Sequence, residues 1–522
     1  GPGGQLAGAT VTDGQGAFEL GAAGPMETVY TWAGGLRSGP GAAASEGVEV
    51  PAPGVGVLRV RVVDHDTGEA LPSRVVVHGV ASGGSGPGGR EPNLGPPHRA
   101  SGAGPLVDTE DGRVRLALPA GSYRALATRG LEYTVDEGKV EVRAGVEGEI
   151  ELRLRRVVDT PGWAGCDLHV HSRGSFDSWV SIDDRVRSLM AAGVDLAAAS
   201  EHNRTGSYEA SLVGGQGKWL TWVPAVEVTS VDPLRGHFNV IPYTRAEAPR
   251  YRRTTLDELV RFVRRESPGS LVQVNHPRMG NLGHFNALHL DPKTQRGLGQ
   301  LTHGFELLEI YNGFDLADAP RNEAMLVEWL GLIERGRTHW ATGNSDSHTV
   351  QYAGVGYPRT YVAAAADHDG GQGPALDVGA VVEGLKRGRA VATSGPLVEV
   401  TQGGRGPGDF LEVQGGEARL RVKVRAAPWV DASEIEVFVG GESALKRRIE
   451  GGAGPLTGRP EGGLSEARAQ AVRFDGELVV PVKAGAKALV VVVRGSRKVG
   501  EVLPFMDWAP MAIVNPLLID AR

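Results

Sequence analysis

His169 and His171 stand two residues apart in the run "GCDLHVHS". On an extended strand that spacing places both imidazoles on one face, where two histidines can bind a single metal ion. Asp167 shares that face, while Cys166 points the other way and reads as a buried filler. A pair of solvent-facing histidines on an amphipathic strand is the lesser alternative. Asp346 and His348 in "GNSDSH" repeat the geometry with one hard oxygen and one imidazole, a mixture that suits zinc, manganese or iron. A turn capped by side chains is the plainer alternative there. Glu227 lies between valines in "WVPAVEVTS", and a carboxylate buried in such a strand needs a cation, supplied either by metals that it bridges or by an arginine. His202 in "SEHN", His237 in "GHFN" and His276 in "NHP" are each consistent with a satisfied core histidine when taken singly.

Their distribution argues for a common role. Ten of the 14 histidines fall between residues 161 and 350. His169, His171, His202, His276, Asp346 and His348 all close strand-like apolar runs, and these runs alternate with helical ones such as "IDDRVRSLMAAG", "TLDELVRFVRRE", "RNEAMLVEWLGLIERG" and "VGAVVEGLKRG". The alternation predicts β/α units over 159–395, with the chemistry at the C-terminal ends of the strands. On either side the texture changes to short alternating strands broken by Gly and Pro. The organisation expected is a partial β-module over 1–50, a β-sandwich over 51–158, the central unit, and a second β-sandwich over 396–522. Residues 81–105 read as a flexible Gly/Pro/Ser loop.

Composition narrows the function. A chain of 522 residues exceeds one hydrophobic core. A net charge of −7 with no long basic run argues against a nucleic-acid partner. No apolar stretch is long enough for a transmembrane helix. Glycine, at 77 residues, is about twice its usual share, as turn-rich β architecture requires. The single cysteine excludes an internal disulfide and leaves the compartment open. The opening "GPGG" suggests a processed or trimmed start, so an export signal would lie out of view.

Taken in order, "DLHVHSRGSFD", "SEHN", "VEVTS", "GHFN", "NHP" and "GNSDSH" resemble the successive motifs of the polymerase and histidinol phosphatase (PHP) superfamily of metal-dependent hydrolases. The "EHN" form and "NSDSH" ending resemble its carbaryl-hydrolase-like branch, and the flanks resemble carboxypeptidase-regulatory-like β-modules. Two positions depart from the family pattern: Phe176-Asp177-Ser178 stands for Ser-Asp-Gly, and Ser200-Glu201-His202 for Thr-Asp-His. The resemblance implies a distorted, TIM-like β/α barrel holding two or three divalent ions (Zn, Mn or Fe). His169, His171, Glu227 and Asp346 would hold the first ion, and Glu227, bridging, would join His237 and His276 on the second. Asp177, His202 and His348 would hold a third where one is bound.

Glu227 and Asp346 are the expected catalytic residues, acting with a metal-bridged hydroxide. Arg278, Arg204 and Asn312 adjoin ligand motifs and are candidate contacts for substrate oxygens. The expected activity is hydrolysis of a small phosphate ester. The alternatives are a carbamate or carboxylic ester hydrolase, and a non-catalytic, metal-stabilised surface protein that contacts a cell surface or glycan through its β-domains. An extracytoplasmic location follows from the β-modules alone, with the cytoplasm left open. His284, His289, His303 and His339 are expected to be structural or at the surface.

Overall fold

The computed structural model describes residues 54–80, 92–94, 102–212, 216–230, 236–298, 304–352, 354–364, 376–413, 415–458 and 461–519, with a few two-residue strands between 28 and 42. The module expected over 1–50 and most of the loop expected over 81–105 lie outside these residues. Among the described residues the chain is mainly β, with six α-helices. None of them is long and apolar enough to cross a membrane.

Strict alternation builds the N-terminal unit. In Val55–Asp64, the residues Leu58, Val60 and Val62 point into the core while Arg59 and Arg61 face outward to Glu147 and Glu151. This strand lies between Glu147–Leu154, parallel to it, and Arg113–Pro119, antiparallel. A second sheet, in the order Asp136–Val142, Gly121–Thr128, Ser73–Gly79, Leu106–Thr109 and Gly102–Ala103, completes the unit.

The central strands form two sheets. Thr221–Pro224, Leu196–Ala199, Trp163–Val170, Arg359–Ala363 and Ala390–Thr393 belong to an 11-stranded sheet. That sheet continues without a break through Met511–Val514 and Ala488–Arg494 to Glu434–Val439 and Glu442–Arg448. Val226–Thr229, His237–Ile241, Leu271–Val274, Leu307–Asn312 and Trp340–Asn344 form the other, five-stranded sheet.

This corrects the expected TIM-like β/α barrel. A barrel of that kind joins parallel strands through helical crossovers. Here His237–Ile241 is antiparallel to both of its neighbours, and so is Arg359–Ala363. Antiparallel neighbours need no helix between them, which is why the helices are few. The two sheets are tied near one end by isolated parallel bridges, Val170 to Ser347 and His202 to Glu227.

The central helices start on readable signals. Ser181 caps Ile182–Ala191, Asp318 caps Ala319–Glu334, and Thr255 with Glu258 forms a capping box on Leu256–Glu266. Beyond residue 396, Leu397–Thr401, Glu417–Arg425 and Val472–Pro481 make a three-stranded sheet. Its Val398, Leu420, Val422 and Val480 share one apolar core with Val437, Val491 and Val493 of the long sheet.

Trp329 is among the largest fully buried side chains, and its indole N–H donates to the carbonyl of His339 at 2.8 Å. Trp329→Ala is expected to destabilise the fold by about 3–5 kcal/mol, read as a lowered denaturation midpoint.

Candidate metal centre

The bridge from Val170 to Ser347 brings two ligand-bearing segments side by side. The amide of Asp346 donates to the carbonyl of His169 at 2.8 Å, and that of His171 to the carbonyl of Ser347 at 3.1 Å. Arg185, fully buried on the helix Ile182–Ala191, locks this arrangement. Its guanidinium donates to the carbonyl of His171 at 2.7 Å and to the Ser347 hydroxyl and carbonyl at 2.9 and 3.0 Å. Asp167, on the face of His169, is not aimed at the cluster; it accepts from the amides of Ser345 and Gly356. His276 and Asp346 adopt left-handed φ values of 27° and 50°, a conformation that L-residues tolerate only when their surroundings impose it. Gly313 allows the close approach from the neighbouring strand, since a Cβ there would lie 2.1 Å from the carbonyl oxygen of Ser345.

All nine residues expected to bind metal converge. Glu227 is at the centre, fully buried. Its Oε1 lies 3.2 Å from His169 Nε2, 3.2 Å from His237 Nδ1 and 3.6 Å from His276 Nε2. Its Oε2 lies 2.7 Å from His202 Nδ1 and 3.5 Å from His171 Nε2. Asp346 Oδ1 is 3.2 Å from both His169 Nε2 and His171 Nε2, and Oδ2 is 3.9 Å from His276 Nε2. Asp177 faces His202 Nε2 at 3.1 Å and His348 Nε2 at 3.4 Å.

The protonation pattern suits cations. His348 Nδ1 lies 2.8 Å from the Asp346 carbonyl, which can only accept, so Nδ1 carries a proton, while Nε2 faces the Asp177 carboxylate at 3.4 Å; burial lowers the imidazole but Asp177 outweighs it and raises the group. His171 Nδ1 is held in the same way: the Ser175 hydroxyl donates to Glu201 and accepts from His171 at 2.9 Å, leaving Nε2 directed inward. His171 Nε2, His237 Nδ1, His276 Nδ1 and Glu227 Oε2 are buried without a well-directed hydrogen bond. Buried polar atoms of this kind are costly unless a proton or a cation satisfies them. Four triads have ligand atoms within 4.8 Å of one another: His171/His202/His348, His169/His171/Glu227, His169/His276/Asp346 and His202/Glu227/His237. Mixed imidazole and carboxylate donors of this type suit zinc, manganese or iron.

The electrostatics are divided: burial lowers His169, His276 and His348, yet the facing carboxylates outweigh it and raise all three, whereas burial keeps His171 and His237 below the ordinary value. Burial alone would raise the Glu227 carboxyl, but His202, His169 and His237 outweigh it and hold the group well below the usual carboxylate range. For Asp346, His169 and His171 likewise overcome burial. Burial, and then His348, push the His171 imidazole well below its ordinary value.

Glu309 belongs to the site and was not singled out from sequence. Its Oε1 accepts from His169 Nδ1 at 3.0 Å and from Asn344, and its Oε2 accepts from the amide of His276 at 2.8 Å. It thereby fixes the tautomer of His169, as a carboxylate behind a metal-binding histidine does. The signal was present in "FELLEIYNG", a carboxylate inside an apolar strand, as at Glu227. Asn312 donates to Glu309 at 2.9 Å and to Asp346 at 3.2 Å, so it positions these two carboxylates. Arg278 is engaged by Glu328, Asn286 and the carbonyl of Leu290. Arg204 is exposed. His284 and His339 are buried, His289 is exposed, and His303 lies outside the described residues.

No family model matches the chain, and no curated protein matches it. Among solved structures it is similar to GBS52, the minor pilin of Streptococcus agalactiae, at 18% identity over 21% of this chain and 47% of that one, with a TM-score of 0.17. It is similar to the Bacillus anthracis TIE protein at 17% identity over 24% and 20%, with a TM-score of 0.14. A streptococcal ancillary pilin matches at 13% identity over 28% and 47%, with a TM-score of 0.19. The chain thus spans less than half the length of each of these proteins. The resemblance to the PHP superfamily, with its carbaryl-hydrolase-like branch and carboxypeptidase-regulatory-like flanks, is therefore corrected. Short motifs agree, but no family model matches and the sheets are not those of its barrel. The cluster stands on its own geometry. Glu309→Ala is expected to weaken zinc binding roughly 10–100-fold in a competitive chelator titration, and Glu309→Gln to weaken it less. Unchanged affinity in both would show that His169 is oriented without Glu309.

Proposed function

We propose that this chain is a metal-dependent hydrolase cleaving an ester bond in a small molecule. The observation that carries this reading is the convergence of eight histidines and carboxylates in overlapping triads about Glu227, with Asp177 against two of them and several buried polar atoms left without a hydrogen bond. His169, His171, Glu227 and Asp346 would hold one ion. Glu227 through its other contacts, with His237 and His276, would hold a second, and Asp177, His202 and His348 a third. When bound, divalent ions at such sites acidify water to a pKa of about 7 and polarise the oxygen of the bond under attack.

The chain's own residues prepare that chemistry. Glu309 and Ser175 set the tautomers of His169 and His171 so that both Nε2 atoms point inward. Asn312 and Asn275 donate to Asp346 and Glu227, fixing these carboxylates in direction. Exposure rises outward: the side chains of His169, His171 and Glu227 are 0% exposed, whereas Asp177 is 40% exposed. Water and substrate therefore reach the cluster from the Asp177 side. Phosphate esters, carboxylic esters and carbamates all fall within this reaction class.

Metal analysis coupled to a panel of aryl phosphates, aryl acetates and aryl N-methylcarbamates is expected to show bound divalent metal and hydrolysis abolished by chelator. Glu227→Ala and Asp346→Ala are each expected to reduce metal content and remove activity while circular dichroism is retained. Full activity in either variant, or activity indifferent to chelation, would overturn the proposal.

A further inference from the structure

Arg74 and Asp108 face each other on antiparallel strands of the N-terminal unit, Ser73–Gly79 and Leu106–Thr109. The guanidinium holds the carboxylate with both prongs, Nε to Oδ1 at 2.8 Å and Nη2 to Oδ2 at 3.0 Å, and the two side chains are 6% and 0% exposed. A buried ion pair often stabilises a fold no better than a well-packed apolar pair of similar volume. What an apolar pair cannot do is donate. Nη2 also reaches out of the unit to the carbonyl of Val350 at 3.4 Å, two residues beyond His348.

Val350 is a joint between two loops. Its buried side chain packs on that of Val180. Val180 closes the loop that carries Asp177, its carbonyl accepting from the amide of Arg173 at 2.7 Å. In that same loop the Ser178 hydroxyl donates to the carbonyl of His348 at 3.0 Å. The Asp177 and His348 loops are thus pinned to each other, and Arg74 pins the second to the N-terminal unit. That unit meets the His348 loop once more, at buried Gln351, whose amide nitrogen would lie 2.6 Å from a Cβ on Gly104. Its Glu110 also pairs at 3.1 Å with Arg187, on the helix that carries Arg185. His169, Glu227 and His237 sit within strands of the central sheets and need no such prop. Asp177 and His348 lie on irregular backbone.

We infer that Arg74 and Asp108 are positioning residues for the outer metal position, the one formed by Asp177, His202 and His348. The pair fixes the His348 loop and, through Ser178 and Val180, the Asp177 loop, so that the N-terminal β-unit is a working part of the metal centre. This rests on the metal-binding part of the reading above and is independent of which bond is cleaved.

The test is a set of zinc and cobalt(II) titrations of the full chain, read by competition with a chelator and by the cobalt d–d absorption. Arg74→Met/Asp108→Leu keeps the sheet filled with an apolar pair, and Asp177→Asn marks which ion belongs to the outer position. The double variant is expected to weaken that ion about tenfold, as loss of support behind a ligand does, and to leave the ions held by His169, Glu227 and Asp346 unchanged. Adding Asp177→Asn to it is expected to cause little further loss. Arg74→Lys keeps the charge, but one ammonium lacks the planar fork that spans both Asp108 oxygens and the Val350 carbonyl. A smaller loss of the same ion is expected there, and this variant decides the matter if the double variant does not fold. Unchanged affinity at the outer position would overturn the inference. So would equal loss at every position, or a wild type in which Asp177→Asn displaces no ion. If the wild type takes up no divalent ion at all, the metal reading itself fails.

Discussion

Everything at the centre of this molecule follows from placing several carboxylates where water cannot reach them. Glu227 and Glu309 are essentially fully buried and Asp346 nearly so. An ionised carboxylate in that setting is untenable without compensating positive charge and hydrogen bonds. Imidazoles surround these acids on every side, and they can answer the charge in two ways, by taking protons or by sharing a cation. Protons serve at His202, which burial lowers but Glu227 and Asp177 push up to about 10, and a cation held there would have to displace one. They do not suffice for His171, whose rings of contact are His202 at 4.4 Å and His348 at 4.0 Å, so that a further positive imidazole would meet like charge. A multivalent ion would satisfy both requirements together.

The architecture reflects that demand. Two sheets contribute candidate ligands, and neither carries the set alone. The long sheet supplies His169 from Trp163–Val170. The five-stranded sheet supplies Glu227 and His237, with His276 just beyond Leu271–Val274 and Asp346 just beyond Trp340–Asn344. The strained backbone at His276 and Asp346 lies where strand geometry ends and ligand geometry takes over. Buried Arg185 and Asp167 hold the neighbouring loops by their carbonyls and amides, which gives the ligand segments rigid support without adding ligands.

Much of the site was legible because its residues violate the texture around them. A glutamate between valines, and two histidines at alternate strand positions, are conspicuous in any apolar run. Glu309 carried the same signal in "FELLEIYNG". Helix starts were equally legible, because Ser181, Thr255 and Asp318 are capping residues in plain view. The sheet arrangement was not, because an apolar run of four to six residues reads the same whether its neighbour is parallel or antiparallel, and only pairing decides between barrel and split sheets. Arg185 was also hidden: nothing local distinguishes an arginine that turns inward to backbone oxygens from one that faces solvent. The same holds for Arg278, which adjoins a ligand motif in sequence yet is held by Glu328 in space.

The long sheet ignores the change of texture near residue 395. Ala390–Thr393 pairs on one side with Arg359–Ala363 and on the other with Met511–Val514, more than a hundred residues later. The last strands of the chain therefore complete the hydrogen bonding of a sheet whose far side carries His169. Ending the polypeptide at the apparent seam would strip a ladder of amides and carbonyls from an interior strand and turn it into an adhesive edge. The histidine-rich half and the β-rich tail are, in this sense, not separable modules but a single fabric, and the shortest chain that keeps this sheet whole extends close to its final strand.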